Sequence, residues 1–133
     1  MELKIASCTV TKEILNAEDT SQTVHLFRIP SDCIPLFIGG RVRTAIAGVT
    51  KPKVAVGITG DTARYVPSQR IDRAGDLITG TAGVHKQICM MQGVDYVSTE
   101  TNRSVLGTFS SSSGNFSSVS AGEILFYCVY LEP

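Results

Sequence analysis

The 133-residue sequence contains no tryptophan and only two histidines, His25 and His85. Aromatics make up 7% of it, four of them tyrosine, so an aromatic platform for stacking sugars or bases has little to draw on. It has no net charge, because 12 Lys and Arg balance 12 Asp and Glu. That removes the basic footprint expected of a nucleic-acid binder. No C-x-x-C pair is present. Cys8, Cys33, Cys89 and Cys128 are too far apart for a clustered zinc site and read as reduced, structural thiols in apolar surroundings. No apolar run approaches the length of a membrane span, so no membrane partner is expected. Met1-Glu2-Leu3-Lys4 leads into strand-like sequence with no apolar h-region, which predicts synthesis in a cytoplasm.

What is present is alternation. The stretch KVAVGITGDTARYVP, residues 53–67, places Val54, Val56 and Ile58 against Ala55, Gly57 and Thr59. A period of two with branched residues on one face predicts a strand. Gly57 in its small face marks a close backbone approach. Gly60-Asp61-Thr62 reads as a turn and Arg64–Val66 as the second arm of a hairpin, with Pro52 and Pro67 bracketing the unit.

Ala6, Cys8 and Val10 alternate in a first strand over residues 4–12. Residues 24–29 are apolar on both faces, which predicts a strand either buried or bulged. A longer strand follows over residues 36–46, with Val42, Thr44 and Ile46 on one face and a bend at Gly39-Gly40. Short strands are expected at residues 77–79 and 94–98, and another through Val105, Gly107 and Phe109. Residues 80–93 fit a strand slightly better than a helix. Ser110 to Ser120 is rich in Ser and Gly and reads as an exposed loop. The last strand, residues 123–131, is apolar on both faces, so it is an interior strand covered twice or part of a subunit interface.

Eight or nine strands with closely spaced turns predict an all-β fold, an antiparallel β-sandwich or jelly-roll-like barrel. The length suits one β-sandwich domain over residues 1–133, with residues 1–20 as an alternative N-terminal arm.

No constellation points to catalysis. Neither His25 nor His85 sits near a nucleophile signature such as G-x-S-x-G. Asp61 and Asp76 each follow a glycine, which is ordinary turn chemistry. Gly57-Ile-Thr-Gly60 lacks the Gly-Lys-Ser/Thr ending of a phosphate loop. The expectation is a protein that is not an enzyme, with no catalytic residue, no cofactor and no metal. The stretch from Arg41 to Asp76 is locally basic, seven basic residues against three acidic ones. It reads as charged strand edges that resist aggregation or as a contact for an acidic partner.

Three segments, GVTKPKVAVGITGDTARYV at 48–66, AGDL at 74–77 and SAGEILFYCVYL at 120–131, together carry a resemblance. In this order they are similar to the small β-sandwich structural proteins of tailed bacteriophages, among them capsid decoration (cement) proteins and related head or tail components. The resemblance covers about the last two thirds of the chain. It implies a non-enzymatic virion structural protein on the capsid exterior, with the major capsid protein and further copies of itself, as a homodimer or homotrimer, as partners. The alternative it leaves is a tail- or fibre-associated phage module that binds host-surface glycan. On that reading the candidate oligomer interface is Ile124, Phe126 and Tyr130 with Ile14 and Leu15. The candidate shell contact is Arg41, Arg43, Arg64 and Arg70.

Overall fold

The computed structural model describes residues 2–30, 33–79 and 104–132. The readings of residues 80–98 above, and His85 and Cys89, lie outside them. Eight strands are described: β1 (Glu2–Thr11), β2 (Ser21–Arg28), β3 (Ile34–Ala47), β4 (Lys53–Ile58), β5 (Asp61–Arg70), β6 (Leu77–Ile78), β7 (Ser104–Ser110) and β8 (Ala121–Glu132). One 3-10 turn, Phe116–Ser118, precedes β8. The strands form two four-stranded antiparallel sheets. Sheet A has the order β1-β8-β3-β6 and sheet B the order β2-β7-β4-β5.

The order follows from one rule. The chain doubles back at Thr59-Gly60, and strands equally far before and after that point pair: β4 with β5, β3 with β6, β2 with β7 and β1 with β8. A long hairpin wound on itself in this way, with β8 also pairing β3 and β7 also pairing β4, is the jelly-roll form of the sandwich. The 53–67 hairpin is therefore the point of return. β4 sits inside sheet B while β5 lies at its edge.

Between the sheets lies the core. Sheet A contributes Val10, Ile38, Val42, Ile46, Ile124 and Phe126; sheet B contributes Phe27, Val54, Val56, Tyr65, Val105 and Phe109. Most come from the inward positions of an alternating strand, as the pleat requires, while Phe27 and Tyr65 are each buried beside a buried neighbour, Leu26 and Val66. Leu15, Ile71 and Phe116 close the ends from the connections.

Several local expectations change. β5 runs on through Pro67 to Arg70, so Pro67 lies inside the strand instead of bounding it. An edge strand tolerates a proline, and the β4–β5 register shifts there, from Val56–Val66 to Val54–Gln69. Gly39 and Gly40 are in regular register with Tyr127 and Phe126, while the irregularities of β3 fall between Pro35 and Phe37 and after Val42. Those later shifts leave Thr44 exposed although Val42 and Ile46 are buried. In β2 a shift between His25 and Phe27 lets adjacent Leu26 and Phe27 both enter the core, the bulged option for that strand. Residues 2–11 are a strand paired along all ten positions with β8.

The Ser-rich segment is also tied down more firmly than its composition predicts. Ser111 N–H donates to Thr20 O, Ser112 N–H to Thr50 O, and Thr50 N–H to Ser113 O. The side chains of Ser111 to Ser113 stay near solvent while the backbone is held on both sides.

Candidate functional site

The site is the outward face of sheet A. Directly opposed residues in antiparallel strands share a face. The β8 positions that alternate with buried Ile124, Phe126 and Cys128 are Leu125, Tyr127, Val129 and Leu131, all partly exposed. Their partners on β1 are Thr9, Ser7, Ile5 and Leu3. On β3, Phe37 stands opposite Val129, Gly39 opposite Tyr127 and Arg41 opposite Leu125. Leu77 of β6 is paired with Arg41 and continues the row.

The result is an apolar surface. Ile5 is 70% exposed, Leu3 62% and Leu77 61%. At its centre the rings of Phe37 and Tyr127 stack, centroids 5.5 Å apart and planes 21° apart. Gly39 makes that possible: a Cβ there would lie 2.9 Å from the Phe37 ring and 2.6 Å from the carbonyl oxygen of Ile78. A soluble protein rarely leaves a contiguous apolar area of this kind bare unless another surface covers it.

Charge stands beside Leu125 on this face, where Arg41 is its partner on β3 and Glu123, paired with Thr11, is the next residue of β8 on the same side. At one end Arg41 and Arg43 are exposed and line a pocket of about 620 Å³ with Val42, Ala74, Gly75 and Leu125. Among the described residues neither arginine has a carboxylate within ion-pair distance. On the opposite side of sheet A, the side of Cys128 and Tyr130, Glu2 and Glu132 are register partners. Lys4 Nζ lies 2.8 Å from Glu2, and the two glutamates hold the Lys4 ammonium above its usual range, Glu2 more than Glu132.

The sequence candidates separate. Ile124, Phe126 and Leu15 are buried within this chain's own core, so they offer no surface to another copy. Tyr130 is partly buried against that core, and Ile14 is exposed beside Leu15 on the β1–β2 connection. The core side of β8 thus holds Ile124 and Phe126 of the interface named from the sequence. Its physical reason is the position of sheet B, which covers the even-numbered side from Ile124 to Cys128. Arg41 and Arg43 stand together on β3. Arg64 and Arg70 belong to β5 in the other sheet, where Arg64 pairs with Asp61 at 3.9 Å and Arg70 hydrogen-bonds Asp72. The four arginines therefore do not form one set.

Leu3, Ile5, Phe37 and Leu77 were missed as surface residues. The signal lay in β1, where Leu3 and Ile5 alternate with Ala6 and Cys8, apolar on both sides like β8.

Other features are smaller. A pocket of about 190 Å³ lies among Lys51, Lys53 and Ser110–Ser112, but the hydroxyls of Ser111 and Ser112 already donate to Gly114 O and Thr50 O. Among the described residues no three His, Cys, Asp or Glu side chains gather as a metal site. His25 is exposed on edge strand β2. Burial raises the Cys8 thiol above its usual range, which keeps it protonated. No described helix is long and apolar enough to cross a membrane.

No family model matches the sequence, and no curated protein does. Among solved structures, a chain of the cyanophage Pam1 capsid asymmetric unit is similar over 98% of this chain and 85% of its own length, with a TM-score of 0.65 and 15% identity. At that identity the likeness is one of fold: this chain shares its jelly-roll sandwich with a protein of a phage capsid.

Proposed function

We propose that this protein is a non-enzymatic virion structural protein that decorates and stabilises a bacteriophage capsid from the outside. The observation that carries this reading is the likeness, over nearly the whole chain, to a chain of a cyanophage capsid asymmetric unit. The phage-like segments at 48–66, 74–77 and 120–131 point the same way. The geometry is compatible with it. The most conspicuous surface is broad, sheet-based and apolar, suited to another protein surface.

On this reading the partners are the major capsid protein and further copies of the chain, and the place of action is the capsid exterior. The mechanism is linkage: a protein that binds the assembled shell and not its separated subunits shifts the equilibrium toward assembly. No catalytic step is involved. Arg41 and Arg43, which have no carboxylate within ion-pair distance among the described residues, are available to fix register on an acidic partner.

The test is made on purified particles. The protein should be found on the head, and particles stripped of it should release their genome at lower temperature and recover when it is added back. Absence from particles overturns the reading. A position on the tail, with binding to host glycan, would replace it by the adhesion module.

A further inference from the structure

We infer that the pocket lined by Arg41 and Arg43 is a binding site for an acidic segment of another protein, held in extended form with carboxylates on the two guanidinium groups and an apolar flank on Leu125. This deepens the proposed function by naming the chemistry of the contact, and it rests on that reading only for the shell as the source of the segment.

The pocket is built before any partner arrives. β3 contributes Arg41 and Arg43, β8 contributes Leu125, and the β5–β6 connection contributes Ala74 and Gly75. That connection is tied to β3 through its main chain: Gly75 N–H donates to Val42 O at 2.7 Å, and Val42 N–H donates to Asp76 O at 3.0 Å. A Cβ at Gly75 would meet nothing within 4 Å, so that rim is open to an incoming chain. The volume of about 620 Å³ falls within the ~300–1,000 Å³ of ligand clefts.

Its charge is uncommitted. The ion pairs among the described residues engage Lys4, Arg64, Arg70 and Arg73. Arg41 and Arg43 are exposed and stand outside all of them. The carboxylate of Asp76, on the same connection, already faces Arg73 at 3.8 Å. Glu123 stands on the same side of sheet A, but among the described residues it is beyond ion-pair distance of either arginine. A guanidinium presents a fork of donors that matches a carboxylate two bonds at a time.

The spacing selects an extended ligand. Arg41 and Arg43 lie two residues apart on one strand, which sets their Cα atoms roughly 6–7 Å apart. Side chains at alternate positions of a second extended chain repeat at the same distance on one side. Arg43 is also the extra residue where the register steps from Val42–Ile124 to Thr44–Glu123, and a bulge of this kind re-aims a side chain.

The surroundings select a protein over a nucleic acid. Past Leu125 the face continues into Tyr127, Val129 and Leu77, with no further Lys or Arg among the described residues of that face. A phosphate backbone, charged at every step, would meet two cations, the carboxylate of Glu123 and then apolar surface. Acidic residues set between apolar ones fit both parts.

The experiment follows the side-chain Nε–H signals of Arg41 and Arg43 in the whole, isotope-labelled protein. The probes are the capped peptide Leu-Glu-Ser-Glu-Leu and its twin Leu-Gln-Ser-Gln-Leu. The glutamate peptide should shift both signals at millimolar concentration in low salt, and the shift should shrink as salt is added. The glutamine twin should bind at least about tenfold more weakly, as loss of charge-assisted bonds predicts. Arg41→Gln with Arg43→Gln should abolish binding with unchanged circular dichroism, while Arg70→Gln, in the other sheet, should leave it intact.

Equal binding of the two peptides overturns the inference, and so does the absence of any shift at Arg41 and Arg43. Tighter binding of inorganic phosphate or of a thymidine oligonucleotide overturns it in favour of a phosphate ligand. If the peptide fails to bind, and the double variant adds back to stripped particles as the wild type does, the inference falls and the capsid reading stands. Peptide binding as described, by a protein absent from particles, keeps the inference and removes the capsid reading.

Discussion

Phe109 of β7 and Phe126 of β8 meet edge to face across the sandwich, ring centroids 6.2 Å apart and planes at 87°. Both are fully buried, and this contact joins the two sheets at their inner strands. Phe126→Ala should lower stability by about 3–5 kcal/mol, the range for a truncated core aromatic. Tyr127→Ala, one residue on and facing outward, should change the unfolding free energy of the monomer by much less. Urea titrations of the two variants, run dilute enough to avoid association, make the comparison. Equal losses would show that the assignment of faces on β8 is wrong.

Phe116 makes a second edge-to-face contact with Phe109, at 6.2 Å and 75°. It is held there by the Ser-rich segment, whose backbone bonds to Thr20 and Thr50. Deleting Ser111–Ser113 should therefore destabilise the fold by about 2 kcal/mol or more, as several backbone bonds at ~1 kcal/mol each are lost and the ring is displaced. Composition alone argues for a tolerated deletion. An unchanged melting temperature would support that simpler view and contradict the packing.

Gly57 is the tightest point of the central hairpin. A Cβ there would lie 2.1 Å from the carbonyl oxygen of Asp61 and 2.6 Å from the carbonyl of Thr62, all main-chain atoms that cannot swing aside. Gly57→Ala alone should cost about 1–3 kcal/mol through overpacking, and Gly57→Leu no less. Chemical denaturation of the alanine variant checks it, with an unmoved midpoint and slope as the contrary result.

The Asp72 carboxyl is held below its usual range, first by the hydrogen bond from Arg70. A carboxylate with a depressed folded-state pKa adds stability above its unfolded value, about 3.9, and loses that contribution as pH falls through the folded value. The pair is open to solvent, so the effect is small and screened by salt. In carbon-detected titrations Asp72 should titrate below the ordinary aspartate range, and Arg70→Ala should return it. A midpoint unaffected by Arg70→Ala would remove the pairing.

The fold was legible where sequence alternates cleanly. Val105, Gly107 and Phe109 read as one inward face, and all three point inward. Ala6, Cys8 and Val10 did the same for β1. What could not be read locally was which side of a doubly apolar strand faces the core. Ile124 and Leu125 are equally apolar, and only the distant placement of sheet B distinguishes them. That is why Ile124 and Phe126, chosen from the sequence as interface, proved to be core. Pro67 failed as a boundary for a related reason: whether a strand tolerates proline depends on its being at an edge, which is a property of the whole sheet. Arg41 and Arg64 looked like one basic stretch because they are near in sequence, and the winding of the hairpin sends them to different sheets.

The position of β8 between β1 and β3 has a consequence for synthesis. Glu2 pairs with Glu132, and Ile34 with Leu131. Among the described residues, while the nascent chain is still short of residue 121, β1 has no neighbour in sheet A and β3 has only the two-residue β6. Sheet A cannot close on the ribosome until its central strand has cleared the exit tunnel, and contacts this distant in sequence form slowly. Until then the inward sides of β1 and β3 are open to any chaperone or stray strand. Chains stalled before residue 121 should be cleaved by protease throughout β1, and chains released after residue 132 should resist.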